Sequence, residues 1–356
     1  MSFSFGNKIK VTVFGQSHSE KMGVVIDGLE AGLVIDEARL QKFMARRAPG
    51  KDAFSTARKE ADTVHFVSGI IDGKTCGAPI CAVIENKDMR SSDYNELKDV
   101  FRPAHADFAA WAKFGDSRDE AGGGQFSGRM TAAICIAGGI FMQLLEKKGI
   151  YIGAHIDSIA KIKDTPFDPV RVTKEDFPSE KDFPVIDDNK GELMKKAILA
   201  AKEEKDSVGG VIECAICGMK AGFGDALFGG IEGKISSAVF AIPAVKGIEF
   251  GSGFKGSELL GSENNDEYEI DENGTVKTKT NNHGGILGGI SSGMPVIFRA
   301  AIKPTPSIGK PQKSVNISKK ENTVLEIKGR HDPCIVGRAT PCIEAAAAIV
   351  IADMIL

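Results

Sequence analysis

The chain has 356 residues, of which 42% are hydrophobic and 26% charged, with a formal net charge of −3. This balance is that of a globular protein, and it lacks the overall positive charge with which nucleic-acid-binding proteins contact phosphates. The first 15 residues lack the apolar centre of a secretory signal, and the stretch 130–145 is too short and too interrupted to span a bilayer. We therefore expect a cytoplasmic protein that binds neither nucleic acid nor membrane.

The N-terminal part predicts two strands and a helix, with reactive side chains in the connections. Residues 8–14 alternate as a strand does, and Ser17 and His18 follow in a turn, a common place for catalytic side chains. A hydrogen-bonded surface histidine is the alternative. After a second strand, Asp36 is the expected N-cap of a helix that ends in two arginines, the second being Arg47. The pair either complements the helix dipole or clamps an anion beside the following Pro-Gly turn.

A hairpin and a second rigid turn come next. Residues 61–86 are typical of two strands joined by an Asp-Gly turn. Arg102 and His105 then flank Pro103, whose fixed φ restrains the turn before a short helix over 106–114. Both side chains should therefore be aimed in a fixed direction.

A glycine-rich loop then leads into a long apolar helix. The N-terminus of such a helix offers free N–H groups to an anion. Arg129 lies in the first turn, where the helix dipole disfavours a cation, and a bound phosphate or carboxylate would explain its presence. Gly138 and Gly139 lower helix stability by roughly 1 kcal/mol each relative to alanine. We therefore expect this helix to be buried against a close neighbour.

The middle of the chain predicts two helices on either side of a strand over 211–217. Cys214 and Cys217 form a C-x-x-C motif in that strand, but residues three apart on a strand point to opposite faces. They are therefore interpreted as core residues rather than as a redox or zinc site. A Gly-x-Gly-x-x-Gly sequence begins at Gly251, but the helix that a dinucleotide-binding fold requires does not follow.

Residues 281–308 form the most unusual segment. Five glycines fill its first half, too many for a helix or an ordinary strand, and its second half predicts a strand that ends at two closely spaced prolines. A glycine shelf beside a rigid turn bearing Lys, Thr and Ser would fit a flat ligand with a polar edge; a connection between strands is the alternative. An apolar helix is expected over 340–356, with Thr340 as N-cap and Pro341 in the first helical position.

Three separated Gly/Pro-rich turns thus carry histidines and arginines, which are suited to proton transfer and to binding phosphate or carboxylate groups. The sequence contains no H-E-x-x-H, G-x-S-x-G or P-loop motif. The residues alone indicate an enzyme that handles an anionic metabolite. A non-catalytic anion-binding module and a structural oligomer are the alternatives.

Eight motifs make the interpretation as an enzyme more specific: GQSHS, RRAPG, RPAHAD, GGGQFSGRMTA, VKGIEFG, NNHGGILGGISSGMP, KPTPSI and GRHDPC. In this order and at these spacings, the chain resembles the chorismate synthase family from its first strand to its last helix. The chain departs from the usual family pattern at Gln16, Ser19, Ala48, Ala53, Ala104, Gln125 and Phe126.

The resemblance implies an α+β fold, a β-α-β sandwich in which buried helices are layered between antiparallel sheets. It implies one large domain over residues 1–356, assembled as a homotetramer. The implied activity is that of a lyase at the seventh step of the shikimate pathway. This lyase converts 5-enolpyruvylshikimate 3-phosphate to chorismate and phosphate by anti-1,4-elimination, using reduced FMN without net redox change. NADPH or a separate flavin reductase would reduce the flavin. An FMN-dependent oxidoreductase acting on an anionic metabolite remains the alternative.

The resemblance also implies roles for residues. His18 would protonate the departing phosphate, and His105 would lie at the N1/C2 edge of the flavin. Asp332, with Ser17 as a relay, would manage the proton at flavin N5. Substrate would be bound by Arg47, Arg102, Arg129 and Arg338. Cofactor contacts would come from Gln125, Phe126, Ser127, Pro243, Ala244, Gly288, Lys303, Pro304, Thr305, Pro306, Ser307 and Arg330.

Overall fold

Two five-stranded antiparallel sheets enclose a layer of helices in this protein. The computed structural model describes residues 2–50, 61–86, 98–119, 122–327 and 332–356. The helices are α1 (Glu37–Arg47), α2 (Asp107–Phe114), α3 (Thr131–Glu146), α4 (Asp188–Glu203), α5 (Ile231–Phe240), α6 (Gly261–Asn264) and α7 (Val336–Ile355). The strands are β1 (Ser4–Phe5), β2 (Lys10–Phe14), β3 (Lys21–Asp27), β4 (His65–Ser68), β5 (Ile70–Ile71), β6 (Lys74–Thr75), β7 (Ile80–Glu85), β8 (Tyr151–Ile159), β9 (Ile162–Lys163), β10 (Gly210–Cys217), β11 (Val245–Phe250), β12 (Tyr268–Ile270), β13 (Val276–Thr278), β14 (Ile286–Leu287), β15 (Ile290–Ser291), β16 (Val296–Ile302), β17 (Gln312–Asn316) and β18 (Glu321–Leu325).

The strand order separates the two halves of the chain. The first sheet has the order β1-β2-β3-β7-β4, and the second has the order β11-β16-β10-β8-β9. Neighbouring strands in both sheets are antiparallel. Four further pairs form hairpins: β5–β6, β12–β13, β14–β15 and β17–β18. The predicted fold class, antiparallel sheets with helices layered between them, is confirmed.

Helices α3 and α7 form the buried layer. α3 packs against β2, β3 and β7, α7 packs against β8 and β10, and the two helices pack against each other. A Cβ added at Gly138 would lie 2.2 Å from the Cβ of Ala345, so the helices approach too closely for a side chain at that position. The helix Gly128–Glu146 is long and apolar enough to cross a membrane, but 83% of its apolar window is buried inside the protein. It is therefore the core helix of the sandwich, as the glycine pair predicts.

The start of α7 differs from the prediction. The helix begins at Val336 rather than after Thr340, so Pro341 lies in its second turn. A proline there has no N–H to donate to the carbonyl of Gly337. The hydroxyl of Thr340 donates to that carbonyl instead, at 2.8 Å. The threonine thus compensates inside the helix for the missing bond, and it is not the N-cap.

The C-x-x-C and glycine-rich segments lie where the sequence reasoning placed them. Cys214 and Cys217 are both buried but belong to core clusters on opposite faces of β10. After Gly251 the chain forms a short 3-10 helix, Gly253–Glu258, and not the long helix of a dinucleotide fold. In the segment 281–308, Gly288 and Gly289 form the two-residue turn between β14 and β15, with φ of 61° and 86°. Such a turn needs positive φ at both positions, which explains two of the glycines.

Candidate active site

Three connections that are far apart in sequence meet at Gly122. Arg102 donates from Nη2 to the carbonyl oxygen of Gly122 at 2.7 Å. A Cβ added at Gly122 would lie 2.4 Å from Cε1 of His18 and 3.3 Å from Oγ of Ser17. Gly122 also has φ of 67°, so both its conformation and its neighbours require glycine. We call Ser17, His18, Arg102, His105 and Gly122 the loop cluster.

The Ser17–His18 turn is anchored to the glycine loop. The backbone N–H of Ser17 donates to the carbonyl oxygen of Gly124 at 3.2 Å. Its Oγ lies 3.0 Å from Nδ1 of His18, so the hydroxyl orients the imidazole ring. Ser17 is buried and His18 is half-buried. A histidine held through one ring nitrogen while part of it remains accessible is suited to proton transfer.

Asp107, which the sequence reasoning missed, organises the second turn. Its carboxylate accepts hydrogen bonds from Arg102 Nε at 2.8 Å and Nη2 at 2.7 Å. It also lies 2.8 Å from Nδ1 of His105. Burial alone would raise the pKa of Asp107, but the hydrogen bonds from Arg102 and His105 outweigh burial and lower the pKa far below its usual range. The carboxylate therefore stays charged and fixes both predicted site residues; its position two residues after His105 was the available signal.

Asp62, also missed, joins two arginines that are 82 positions apart. Arg47 donates from Nε to Asp62 Oδ2 at 3.0 Å, and Nη1 of Arg129 pairs with Oδ1 of the same carboxylate. The side chains of all three are almost completely buried. Asn86 accepts from the other side of Arg129, at Nε, at 3.0 Å. The helix dipole disfavours the positive charge of Arg129 at this position. The carboxylate of Asp62, which comes from another connection, balances that charge within the protein itself.

Arg338 is the fourth predicted substrate arginine. Its Nη1 donates to both oxygens of Asp332 at 3.0 Å, and its Nε donates to the backbone carbonyl of Arg47 at 3.2 Å. This connects the start of α7 to the end of α1. The relay between Ser17 and Asp332 stays a prediction, and Arg330 lies outside the described residues.

The proline-flanked turn after β16 contacts the loop cluster. Nζ of Lys303 donates to the carbonyl of Ala104, which lies between Arg102 and His105. The N–H of Lys303 donates to the carbonyl of Ala244 at 3.0 Å. Ala104 and Ala244 have φ of 57° and 75°, a region that favours glycine. Burial and the neighbouring charge of Lys246 lower the pKa of Lys303. Lys303 therefore joins three segments that were predicted to contribute to the site: the turn after β16, the turn that carries Arg102 and His105, and the segment at Ala244.

One atom in this turn is suited to a bound ligand. Among the described residues, the hydroxyl of Thr305 is buried without a hydrogen-bond partner. Buried polar atoms are normally satisfied, so such an atom is where a ligand oxygen or nitrogen would bind. The Thr305 backbone carbonyl, by contrast, is fixed, because Ser207 Oγ donates to it at 2.7 Å. The residues of this turn therefore fit a cofactor with polar edges.

The remaining predicted cofactor residues are spread over several surfaces. Ser127 caps the turn before α3, accepting from the N–H of Arg129 at 3.2 Å. The turn at Gly288 packs through Gly289 against Asp225 and Gly230, and a Cβ added at Gly288 would meet nothing within 4 Å. Phe126 and Pro304 are exposed, whereas Gln125, Pro243, Pro306 and Ser307 are half-buried. The open space at Gly288 is compatible with a ligand, but the contacts of this turn are not with the loop cluster.

A larger cavity lies on the other side of α1. It has a volume of about 670 Å³ and is bordered by α1, residues 174–184 and the start of α7. Three ion pairs lie in its wall, Arg39 with Glu146, Lys42 with Glu180 at 2.6 Å, and Arg46 with Glu344 at 2.6 Å. Arg338, at the start of α7, also lines it. A much smaller cleft is lined by Arg102, His105 and Asp107. We place the candidate site at the smaller cleft, because Arg102 and His105 line it together with Gly122, which contacts the Ser17–His18 turn.

A second charged cluster crosses the other sheet. In register on β8, β10, β16 and β11, the residues His155, Glu213, Arg299 and Glu249 lie directly opposite one another. The distances are 3.0 Å from His155 Nε2 to Glu213, 3.3 Å from Arg299 Nη1 to Glu213, and 2.7 Å from Arg299 Nε to Glu249. Asp164 lies 3.2 Å from the other ring nitrogen of His155. We call these five residues the sheet ladder; sequence reasoning did not find it, because opposing registers are set only by the folded sheet.

The antiparallel sandwich and the loop cluster together describe an enzyme that handles a small anionic metabolite. A sequence model of the chorismate synthase family matches residues 9–356. Chorismate synthase of Lancefieldella parvula is 46% identical over 99% of this chain and 96% of the relative. That of Methanocaldococcus jannaschii is 43% identical, with the same coverage of both chains. A crystal structure of chorismate synthase matches with a TM-score of 0.76 at 26% identity, covering 98% of this chain and 92% of the other.

The chain therefore belongs to the chorismate synthase family. This membership supports an enzyme of the shikimate pathway, a lyase of aromatic amino acid biosynthesis.

Proposed function

We propose that this protein converts 5-enolpyruvylshikimate 3-phosphate to chorismate and phosphate by anti-1,4-elimination, with reduced FMN as cofactor and no net redox change. The observation that carries the proposal is the meeting of three distant turns at Gly122, within a chain of this family. That meeting brings His18, Arg102 and His105 into one cluster. A phosphate leaving group needs both a proton and fixed positive charge, and the cluster offers both.

Substrate binding would rest on arginines that are oriented before the ligand arrives. The substrate carries a phosphate and two carboxylates, and the predicted ligands are Arg47, Arg102, Arg129 and Arg338. Each of the four is held by a carboxylate of the protein: Asp62, Asp107 or Asp332. Guanidinium groups with fixed direction bind oxyanions with less loss of conformational entropy than free side chains do.

Proton transfer would be divided between two sides of the site. His18, oriented by Ser17, would donate a proton to the departing phosphate oxygen. Asp332, with Ser17 as a relay, would manage the proton at flavin N5 as the C6 hydrogen of the substrate leaves. His105, fixed by Asp107, would stabilise negative charge at the cofactor edge. In these assignments each titratable group transfers a proton or stabilises charge at one position only.

The cofactor would be held by the turn after β16 and the segments that it contacts. Reduced FMN, when bound, supplies electron density that favours cleavage of the C–O bond. The unpartnered Thr305 hydroxyl and the Lys303 ammonium are the polar groups best suited to hold it. The other proposed contacts are Gln125, Phe126, Ser127, Pro243, Ala244, Gly288, Pro304, Pro306, Ser307 and Arg330.

An anaerobic assay with photoreduced FMN tests the proposal. We expect chorismate and phosphate to appear in equal amounts while the reduced flavin is regenerated at each turnover, and no product with oxidised FMN. Consumption of one reduced flavin per product would contradict the lyase and support the FMN-dependent oxidoreductase.

Adding NADPH to the protein with oxidised FMN then shows which of the two proposed routes reduces the flavin. Activity appears if the protein reduces its own flavin, and it needs an added reductase otherwise.

We propose, further, a cytoplasmic homotetramer built from one domain per chain. In its support, large apolar side chains are exposed in the second half of the chain: Leu227, Phe228, Phe254, Leu260, Tyr268 and Ile270. Exposed apolar side chains of this size are typical of protein–protein interfaces. Sedimentation equilibrium is expected to give four times the chain mass of 37.8 kDa; a monomer would contradict the proposal.

A further inference from the structure

We propose that Asp62 is a positioning residue for the substrate arginines, an inference that rests on the proposed function and deepens it. One carboxylate meets two guanidinium groups from different connections. Asp62 Oδ2 lies 2.8 Å from Nη2 of Arg47, and Oδ1 pairs with Nη1 of Arg129. The Asp62 side chain is fully buried. Each oxygen is therefore committed to a different arginine.

A side chain of α1 fixes the backbone around Asp62. The φ of Asp62 is 48°, in the left-handed region, which aspartate enters more readily than most residues other than glycine. The side chain of α1 is that of Gln41. Its Nε2 donates to the carbonyls of Ala61 at 3.1 Å and Asp62 at 3.3 Å, and its Oε1 accepts from the N–H of Val64 at 3.2 Å. The hydrogen bonds of Gln41 therefore fix the direction in which the Asp62 carboxylate is presented to the two arginines.

The arrangement continues from the arginines to the proton donor. Asn86 accepts from Arg129 Nε at 3.0 Å and donates from Nδ2 to the carbonyls of Ser19 at 2.7 Å and Gln16 at 3.3 Å. Those two carbonyls bound the turn that carries His18. The position of Arg129 is thus connected on one side to Arg47 through Asp62 and on the other side to the His18 turn through Asn86. Asp62 fixes the spacing of the three groups that would contact the phosphate or the carboxylates.

This geometry requires a carboxylate rather than any polar side chain. Asparagine has one accepting oxygen, and its NH₂ group would face one of the two guanidinium groups, donor against donor. Asp62→Asn should therefore release one arginine while keeping the volume of the side chain. Glutamate restores two accepting oxygens on a longer stem, so Asp62→Glu should recover part of what Asp62→Asn loses.

The test compares kcat and KM of wild type, Asp62→Asn and Asp62→Glu, each alone and combined with the double variant Arg47→Lys/Arg129→Lys. We expect Asp62→Asn to lower kcat/KM about 100-fold, since a displacement of about 1 Å in a binding group has effects of that size. Asp62→Glu should recover at least about tenfold. Because Asp62 acts through both Arg47 and Arg129, adding Asp62→Asn to the double variant Arg47→Lys/Arg129→Lys should cost less than about threefold more.

A matched control separates positioning from stability. Asp164 is also a buried carboxylate, paired with His155 in the sheet ladder, and Asp164→Asn should lower the unfolding temperature but leave kcat/KM unchanged. Equal loss of kcat/KM in the two Asp→Asn variants, or full additivity of Asp62→Asn with Arg47→Lys/Arg129→Lys, would overturn the proposal. If Asp62→Asn does not fold, Gln41→Ala removes the clamp on Asp62 instead. It should lower kcat/KM about fivefold, and an unchanged value overturns the proposal.

Calorimetry of 5-enolpyruvylshikimate 3-phosphate binding to the FMN-free protein distinguishes failure of the proposed function from failure of the positioning role of Asp62. If wild type neither binds this compound nor converts it, the proposed function fails, and this inference fails with it. If wild type binds it and Asp62→Asn binds it with the same affinity and turns it over at the same rate, only the role of Asp62 is wrong. A weaker affinity in Asp62→Asn, with wild-type affinity in Asp164→Asn, supports the positioning role.

Discussion

The loop cluster and the sheet ladder use similar residues in different ways. Both contain histidine and arginine held by carboxylates. In the sheet ladder, strand register places Glu213 opposite His155 on one side and Arg299 on the other. In the loop cluster, the groups come from separate connections and meet at Gly122, a residue with positive φ. The ladder follows from regular secondary structure, whereas the loop cluster needs strained backbone and several turns to form.

This difference separates charge pairs that support the fold from those that serve a ligand. The charged groups of the sheet ladder pair with one another, so the ladder is satisfied without a ligand. The loop cluster is joined by Lys303 to the turn after β16, in which the hydroxyl of Thr305 is buried without a partner. We infer that mutation of the ladder changes stability and that mutation of the loop cluster changes turnover.

The largest effect is expected at His18. His18→Gln removes the proposed proton donor while keeping hydrogen bonding toward Ser17, and kcat should fall about 1,000-fold, within the range for general acid catalysis. Steady-state kinetics with reduced FMN measures the effect. His65→Gln, on the exposed strand β4, is the control and should keep wild-type kcat. A His18→Gln enzyme with near-wild-type kcat would contradict the assignment of the donor to the loop cluster.

The ladder should appear in the pH dependence of stability. Burial alone would lower the pKa of His155, but hydrogen bonds to Asp164 and Glu213 raise it to about 9. Because the folded pKa lies above the unfolded value of about 6.5, this stabilisation is complete below pH 6.5 and is lost as the pH rises through 9. Denaturant unfolding should show a loss of roughly 3 kcal/mol across that window in wild type. His155→Gln should flatten this slope; an unchanged slope would mean that the ladder histidine is not charged.

The smallest effect is expected at Thr305. Thr305→Val replaces the unpartnered hydroxyl with a methyl group of similar size. The flavin-free protein should become more stable by about 1 kcal/mol, because an unsatisfied buried hydroxyl is removed. Affinity for FMN should fall about tenfold, the effect of one hydrogen bond, as measured by fluorescence titration. Unchanged affinity would remove Thr305 from the proposed cofactor contacts.

Much of the fold could be predicted because its signals are local. Asp36 caps α1, accepting from the N–H of Arg39 at 2.9 Å, as the sequence indicates. Gly138 predicted the close approach of two helices, although only the structure identifies Ala345 as the neighbour. The predicted start of α7 was wrong, because the hydroxyl of Thr340 can hydrogen-bond to a carbonyl inside the helix as well as cap a helix end.

The histidines and arginines of the candidate site could be singled out from the sequence, together with Asp332, whereas two of its carboxylates were missed. Histidines and arginines at Gly/Pro turns can be recognised from local sequence. Asp62 could not be selected, because a carboxylate is recognised as a partner only when the distant residue it meets is known. Asp107 lies two residues after His105, a local signal that the sequence interpretation did not use. The connection of Asp62 to Arg129 spans 67 positions and depends on the fold of the first sheet.

The most direct test of whether the chemistry takes place at the loop cluster compares two arginine-to-lysine variants. Lysine keeps the charge but cannot make the planar paired contacts of arginine, so each variant loosens one cluster without changing net charge. We predict that Arg102→Lys lowers kcat/KM for 5-enolpyruvylshikimate 3-phosphate at least about 100-fold, and that Arg299→Lys lowers it less than about threefold. Comparable losses in both variants, or a larger loss in Arg299→Lys, would contradict the assignment of the chemistry to the loop cluster.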